Sequence, residues 1–285
     1  MASKMSQIVI SSGAKVHGWQ EAKGSYEKMN FARRLFKIIY DFLILPPWVQ
    51  LRMFLGPLWW NRKVRGEYRS TLGKLDLKLS SKITKVDIDE LIGEKAKCVL
   101  LNPTRRDGNL SLDAQFCIAC LVKHYKPRRI FEIGTFNGNT TLQMAVNSGN
   151  DCQIFTLHYD PAKLETPDSK FKLAEGDKKY IGNQEMVFRS TPYENKINLL
   201  FGDSAQFDFY PYYGRMDFVF IDGSHAYDYV RNDTEQAFRM LGEKGVIIWD
   251  DYDASWPDVI RYLNELAQQK EICWINGTSL CLHIK

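Results

Sequence analysis

From about residue 127 onward, short blocks rich in Val, Ile, Leu and Phe alternate with longer stretches whose apolar residues recur every three or four positions. The blocks RRIFEIG, CQIFTLHY, INLLFGD, MDFVFID and GVIIWDD are apolar at successive positions, the pattern of strands buried on both faces. Between the first two, NTTLQMAVNS predicts a helix closed by Gly149. Between the last two, residues 227–241 predict another, with Val230, Thr234, Ala237, Phe238 and Leu241 at helical spacing. Ser255 followed by Pro257 predicts the cap and first turn of a further helix. Upstream, Ser111 is placed to cap a helix running to about Tyr125, with Phe116, Cys120 and Leu121 on one face. The chain closes with ICWI, then Asn276-Gly277, then SLCLHI, the pattern of a hairpin. Strands separated by helices imply an α/β fold whose mostly parallel sheet is covered on both faces and finished by an antiparallel hairpin.

The first hundred residues follow another pattern. Residues 1–25 are polar, rich in Ser, Gly and Lys and without periodicity, which predicts a mobile tail. Residues 26–97 read as a basic, aromatic, largely helical extension, and 98–285 as the α/β domain. Within 26–60, Lys37, Asp41, Pro46, Pro47 and Arg52 interrupt every window long enough to span a membrane. Two readings remain for that stretch. Its helices pack on the α/β domain or on a second copy of the chain, giving a homo-oligomer. Alternatively they lie in a membrane interface, with Trp48, Trp59 and Trp60 at headgroup depth.

Charge sharpens this division. Of the 38 Lys+Arg and 34 Asp+Glu, residues 1–80 hold 14 and 5, so the extension is strongly basic while the rest is acidic. The basic residues are mixed with apolar ones and form no phosphate-tracking face, so no nucleic-acid partner is expected. The N-terminus lacks the pattern of a secretory signal, and the six scattered cysteines are no disulfide framework. Both observations predict a cytoplasmic protein, peripheral to the membrane if residues 26–60 bind lipid. Cys117 and Cys120 form a CxxC without a second pair at zinc spacing, and read as buried helix residues.

Two constellations carry chemistry. Glu132-Ile-Gly134-Thr135-Phe-Asn-Gly138 sits at a strand end before a helix, where open α/β sheets bind ligands. Its spacing is neither G-x-G-x-x-G nor a P-loop, which argues against a dinucleotide or a nucleoside triphosphate. Asp222-Gly-Ser-His225 and Asp250-Asp251 both follow apolar strands, so the fold brings them to one edge of the sheet. Three neighbouring carboxylates call for a cation, and an all-oxygen set suits Mg²⁺, or Mn²⁺ or Ca²⁺. His225 is placed to take a proton from a hydroxyl that such a cation activates. As alternatives, Glu132 and Asp203 read as ordinary strand-end polar residues, Asp250 as a cap and Asp251 as a solvated side chain.

FEIGTFNGNTT, FGDSAQF, FVFIDGSHAYDYVRNDT and GVIIWDDY together resemble class I S-adenosylmethionine-dependent methyltransferases. The likeness is to a bacterial branch that includes cephalosporin-biosynthesis and macrolide-sugar O-methyltransferases, and it covers about residues 98–285. It implies a Rossmann-like sheet and S-adenosyl-L-methionine as cofactor. The loop Gly134, Thr135 to Gly138 would wrap the methionine part with Glu132 beside it, and Asp203 and Ser204 would lie by the adenine. Asp222 is counted with both cofactor and metal, Asp250 and Asp251 with the metal, and His225 becomes the general base. Where the family carries a ribose-binding acid, this chain has His158, with Asp160 two positions on. The implied activity is metal-assisted O-methylation of a small molecule or glycan. The alternatives are an amine, a membrane-associated lipid-linked glycan, or a non-catalytic binding protein. The acceptor pocket is expected from residues 26–110 and from the loops at about 160–195 and 252–256. Within the loop at about 160–195, ETPDSKFKLAEGDKKYIGNQ reads as a mobile flap.

Overall fold

Each apolar block forms a strand. The structure, a computed structural model, describes residues 7–11, 83–104, 106–159, 170–182 and 185–285, all within one compact unit. The elements begin with β1 (Gln7–Ser11), β2 (Thr84–Val86), α1 (Ile88–Ile92), β3 (Lys97–Leu101) and α2 (Leu112–Tyr125). Next come β4 (Arg129–Ile133), α3 (Asn139–Asn147), β5 (Gln153–His158), β6 (Ile197–Phe201) and β7 (Met216–Ile221). The chain ends with α4 (Tyr227–Met240), β8 (Leu241–Trp249), α5 (Pro257–Leu266), β9 (Cys273–Ile275) and β10 (Cys281–Ile284).

Eight strands form one sheet in the order β2-β9-β10-β8-β7-β4-β5-β6. The strands from β8 through β6 are mutually parallel, while β10 runs antiparallel to both β8 and β9. The turn between β9 and β10 contains Asn276 and Gly277, the latter at φ +81° as a tight hairpin turn requires. Chain order reverses between β4 and β7, which makes their carboxyl ends the switch point of the sheet.

Alternation along the strands divides the core into two layers. Ile130, Ile154, Phe218, Phe220, Val246 and Ile248 pack with α2 and α3 on one face. Phe131, Ile133, Leu157, Val219, Ile221 and Trp249 pack with α4 and α5 on the other. Burial on both faces is why these strands read as unbroken apolar runs. Cys117 and Cys120 lie buried in the first layer, and burial pushes the Cys117 thiol up to about 12, as suits an inert core residue.

Among the described helices only α2 starts on a side-chain cap. The Ser111 hydroxyl accepts from Ala114 N at 3.2 Å, capping α2 as expected. Ser255 does not cap α5. Trp256 holds that position and Pro257 the first turn, while the Ser255 hydroxyl turns back to Asp253 Oδ1 at 2.8 Å. A nearby carboxylate outcompetes the distant helix amides for that hydroxyl.

The sheet also begins before residue 98, because Thr84–Val86 pairs in parallel with β9. Within the stretch read as a tail, Gln7–Ser11 forms β1 and pairs antiparallel with β3 in a two-stranded sheet. QIVIS is a short β-branched run whose strand character depends on that partner. The other edge of β3 is closed by side chains of α3. Gln143 exchanges two hydrogen bonds with the backbone of Leu101, and Asn147 two with Val99. Residues 12–82, which include the aromatic stretch 26–60, lie outside the described residues, as does Asp160. Among the described residues no helix is long and apolar enough to cross a membrane.

Candidate active site

The tips of β4 and β7 meet with no room between them. Asp222 N donates to Ile133 O at 2.8 Å, and Asp250 N to Ile221 O at 3.0 Å, so the ends of β4, β7 and β8 stand side by side. Gly134 takes φ +102°, and a Cβ there would lie 1.8 Å from the Asp222 carbonyl oxygen. This position therefore admits glycine for its backbone angle and for its neighbour. The loop returns to α3 through Gly138, also at positive φ, where a Cβ would collide with the Phe188 ring at 2.5 Å.

These tips border a cavity of about 470 Å³, within the size range of small-molecule sites. Gly134, Thr135, His158, Ser204, Asp222, His225, Asp250 and Asp251 line it. Glu132, Gly138 and Asp203 do not. Glu132 points beneath the loop, fully buried, where its Oε2 accepts from the hydroxyls of Thr141 and Thr156, each at 2.5 Å. Its Oε1 makes no hydrogen bond among the described residues. Burial drives its pKa up to about 7 against the pull of the two hydroxyls. Asp203 serves its own turn, accepting from Ala205 N at 2.9 Å and from the Tyr229 hydroxyl at 3.2 Å. His158 closes β5 with Nε2 3.3 Å from Gly182 O.

Asp222, His225 and Asp251 each present a ligating atom, all within 4.8 Å of one another. Asp250 lies beside them and accepts from the Ser279 hydroxyl at 2.5 Å. Burial, then the charges of Asp250, Asp251 and Glu132, push the Asp222 carboxyl well above its ordinary range. Burial and Asp251 raise Asp250 to about 7. Asp251 itself holds a left-handed backbone at φ +61°, the kind of local strain that collects at functional sites.

His225 is clamped. Its Nδ1 meets Asp177 Oδ1 at 2.5 Å and its Nε2 meets Asp251 Oδ2 at 2.5 Å. The Trp256 ring stacks on the imidazole at 3.6 Å between centroids and 9° between planes. Burial disfavours the charged ring, yet the two carboxylates outweigh it and lift the pKa to about 9. Neither Asp177 nor Trp256 was identifiable from sequence. Asp177 lies in the polar stretch expected to be a mobile flap, yet residues 170–182 are docked against the site, with Asp177 in a short 3-10 turn (Asp177–Tyr180). No local pattern marks it.

Residues 131–252 match a family model described as a methyltransferase domain. Over these residues the chain is similar to a methyltransferase domain. Its strand order, with a final antiparallel pair, is the Rossmann-like methyltransferase sheet expected from the sequence. The match spans the glycine loop, Asp222, His225, Asp250 and Asp251. No curated protein matches the chain in sequence. Similar solved structures include the O-methyltransferase TomG of Streptomyces achromogenes, solved with SAM. It is 15% identical, covers 77% of this chain and 97% of its own, and has a TM-score of 0.43. An O-methyltransferase from Bacillus cereus, solved with SAH, is 16% identical with coverages of 63% and 84% and a TM-score of 0.44. A putative caffeoyl-CoA O-methyltransferase from Staphylococcus aureus is 18% identical with coverages of 76% and 99% and a TM-score of 0.47.

Proposed function

We propose that the chain is an S-adenosylmethionine-dependent O-methyltransferase, assisted by a divalent cation, acting on a hydroxyl of a small molecule or glycan. The observation that carries this reading is the placement of Asp222, His225 and Asp251 in one cavity with the glycine turn after β4. The site fits a cation, because Asp222 and Asp250 are acids whose proton affinities are raised by burial first and then by neighbouring carboxylates, Asp251 among them in both cases. Asp222, Asp250 and Asp251 would hold it, an oxygen set suited to Mg²⁺. The site also fits the cofactor. Gly134, Thr135 and Ser204 line the cavity wall, with the buried Glu132 beneath the loop.

When bound, the cofactor supplies an electrophilic methyl group on a sulfonium, and the cation supplies charge that lowers the acceptor's pKa. The chain's residues do the rest. The cavity walls orient the acceptor oxygen for in-line attack and exclude water. His225 is protonated at neutral pH while Asp251 holds its Nε2, and becomes a base when Asp251 turns to another partner. The acceptor's proton then passes to Nε2.

The test is release of S-adenosylhomocysteine from purified protein supplied with S-adenosylmethionine, Mg²⁺ and a panel containing a catechol, a glycoside and a primary amine. Turnover with a hydroxyl acceptor, abolished by EDTA and by His225→Ala, is expected. Turnover with the amine alone, or turnover indifferent to both perturbations, refutes the reading.

A further inference from the structure

Asp177 enters the site from outside every motif, and its contacts are more specific than packing requires. The residue is 5% exposed. Its Oδ2 accepts from Ala174 N at 3.2 Å, Ser224 Oγ at 2.5 Å and His225 N at 3.1 Å, while Oδ1 takes His225 Nδ1 at 2.5 Å. Three of these four bonds go to the loop after β7. Two reach the same residue, one through its backbone and one through its ring, so they fix the rotation of the imidazole and not only its position. A carboxylate only accepts, so the bond to Asp177 places a proton on Nδ1, and Nε2, which faces Asp251, is the nitrogen that would exchange a proton with a bound molecule once Asp251 turns away.

A second contact from the same segment acts on the other surface of the ring. A Cβ at Gly176 would lie 2.6 Å from Trp256 Cη2. Trp256 in turn stacks flat on His225. The pair Gly176-Asp177 therefore grips the imidazole at its edge and backs the indole that covers its face.

We propose that Asp177 is the positioning residue for His225, and that docking of Gly176-Asp177 gives the imidazole its reactive orientation. The inference rests on the reading that His225 takes the acceptor's proton. In the transfer that proton goes to Nε2 while the Nδ1 proton stays on its bond to Asp177. The nearest analogy is the buried aspartate of serine-protease triads, whose amide replacement preserves geometry but reverses the tautomer.

The test uses the full chain with ¹⁵N-labelled histidine. Long-range proton–nitrogen spectra of the wild type should show His225 protonated at Nδ1, with a strongly downfield proton. Asp177→Asn should lose that signal. With a catechol, S-adenosylmethionine and Mg²⁺, the same variant should lower kcat on the order of 100-fold, while affinity for S-adenosylhomocysteine stays within about twofold. In a His225→Ala background it should change nothing further, because the two residues act as one unit. Gly176→Ala, which keeps the carboxylate and displaces Trp256, should also lower kcat at unchanged cofactor-product affinity, and it substitutes if Asp177→Asn does not fold.

The outcomes separate cleanly. If His225→Ala turns over like the wild type, the base role falls, and the spectra alone then judge the orientation without any acceptor. If His225→Ala is impaired while Asp177→Asn keeps both wild-type turnover and its Nδ1 proton signal, the positioning inference is overturned. A wild-type spectrum with the proton on Nε2 alone overturns it as well.

Discussion

Glu132 offers a quantitative test of how the site is built. Its carboxyl is wholly buried, holds two threonine hydroxyls on one oxygen, and has a pKa pushed from 4.5 to about 7 by desolvation. Because the folded state binds the proton more tightly than the unfolded one, stability falls as pH rises from about 4.5 to about 7 and stays reduced above. At about 1.4 kcal/mol per unit, the burden at pH 8 is ~3 kcal/mol. Glu132→Gln removes the charge and keeps one oxygen for Thr141 and Thr156. Its amide nitrogen replaces Oε1, a buried donor that costs about 1–3 kcal/mol if unpaired, and that cost does not vary with pH. The stability difference between variant and wild type should therefore shift by ~2–3 kcal/mol in the variant's favour between pH 5 and pH 8, whatever its constant offset. Urea unfolding of both proteins at the two pH values measures it. Other buried acids titrate in both proteins and cancel in the difference to first order. A difference that stays constant across that range would refute the claim that Glu132 is held as a buried, reluctantly ionised acid.

Further predictions follow from the same geometry. His225 has a pKa raised to about 9, so its ion pairs stabilise fully below about pH 6.5 and are lost as pH rises through 9. The stability advantage of wild type over His225→Gln should shrink by ~2–3 kcal/mol between pH 6.5 and 9.5 in urea titrations, and an unchanged gap would count against the clamp. Millimolar Mg²⁺ should raise the thermal midpoint of the wild type, while Asp222→Asn should raise it without metal and abolish the Mg²⁺ response; equal responses in both would remove Asp222 from the cation site. Gly134→Ala should cost at least ~3 kcal/mol, because the new Cβ meets backbone at 1.8 Å. Gly93→Ala, also at positive φ but facing open space, should cost about 1 kcal/mol. Similar losses in both variants would show that backbone angle, and not the β4–β7 contact, constrains Gly134.

Legibility in the sequence tracked how local each determinant is. The strands from β4 to β8 were readable because burial on both faces leaves uninterrupted apolar runs, and the β9–β10 turn because Asn276-Gly277 carries its own backbone preference. Asp222, His225, Asp250 and Asp251 were readable because they end such runs, and their convergence followed from strand order. What failed to show were features whose partner is remote. β1 is five residues that mean nothing without β3, ninety positions later. β2 is three residues defined by β9. Asp177 lies among lysines, and nothing near it announces a histidine 48 residues away. Glu132 was legible as a strand-end acid, but its aim into α3 was not, because the direction depends on which face the strand turns toward Thr141.

The charge arrangement bears on why the proposed reaction would need a cation as well as a sulfonium. Asp177, Asp222, Asp250 and Asp251 line the cavity, and His225 is bonded to two of them, Asp177 and Asp251. Such a site attracts a positively charged methyl donor. Attraction to the ground state alone does not accelerate transfer, because the donor's charge is dispersed as the methyl group moves and the carboxylates then stabilise the transition state less than the reactant. Catalysis requires that the negative charge be spent elsewhere before transfer. A cation held by Asp222, Asp250 and Asp251 would achieve that, and would draw Asp251 from His225 Nε2. Burial first, and then repulsion from neighbouring carboxylates, raises the proton affinity of Asp222 and Asp250, and a divalent ion at the site would offset that repulsion.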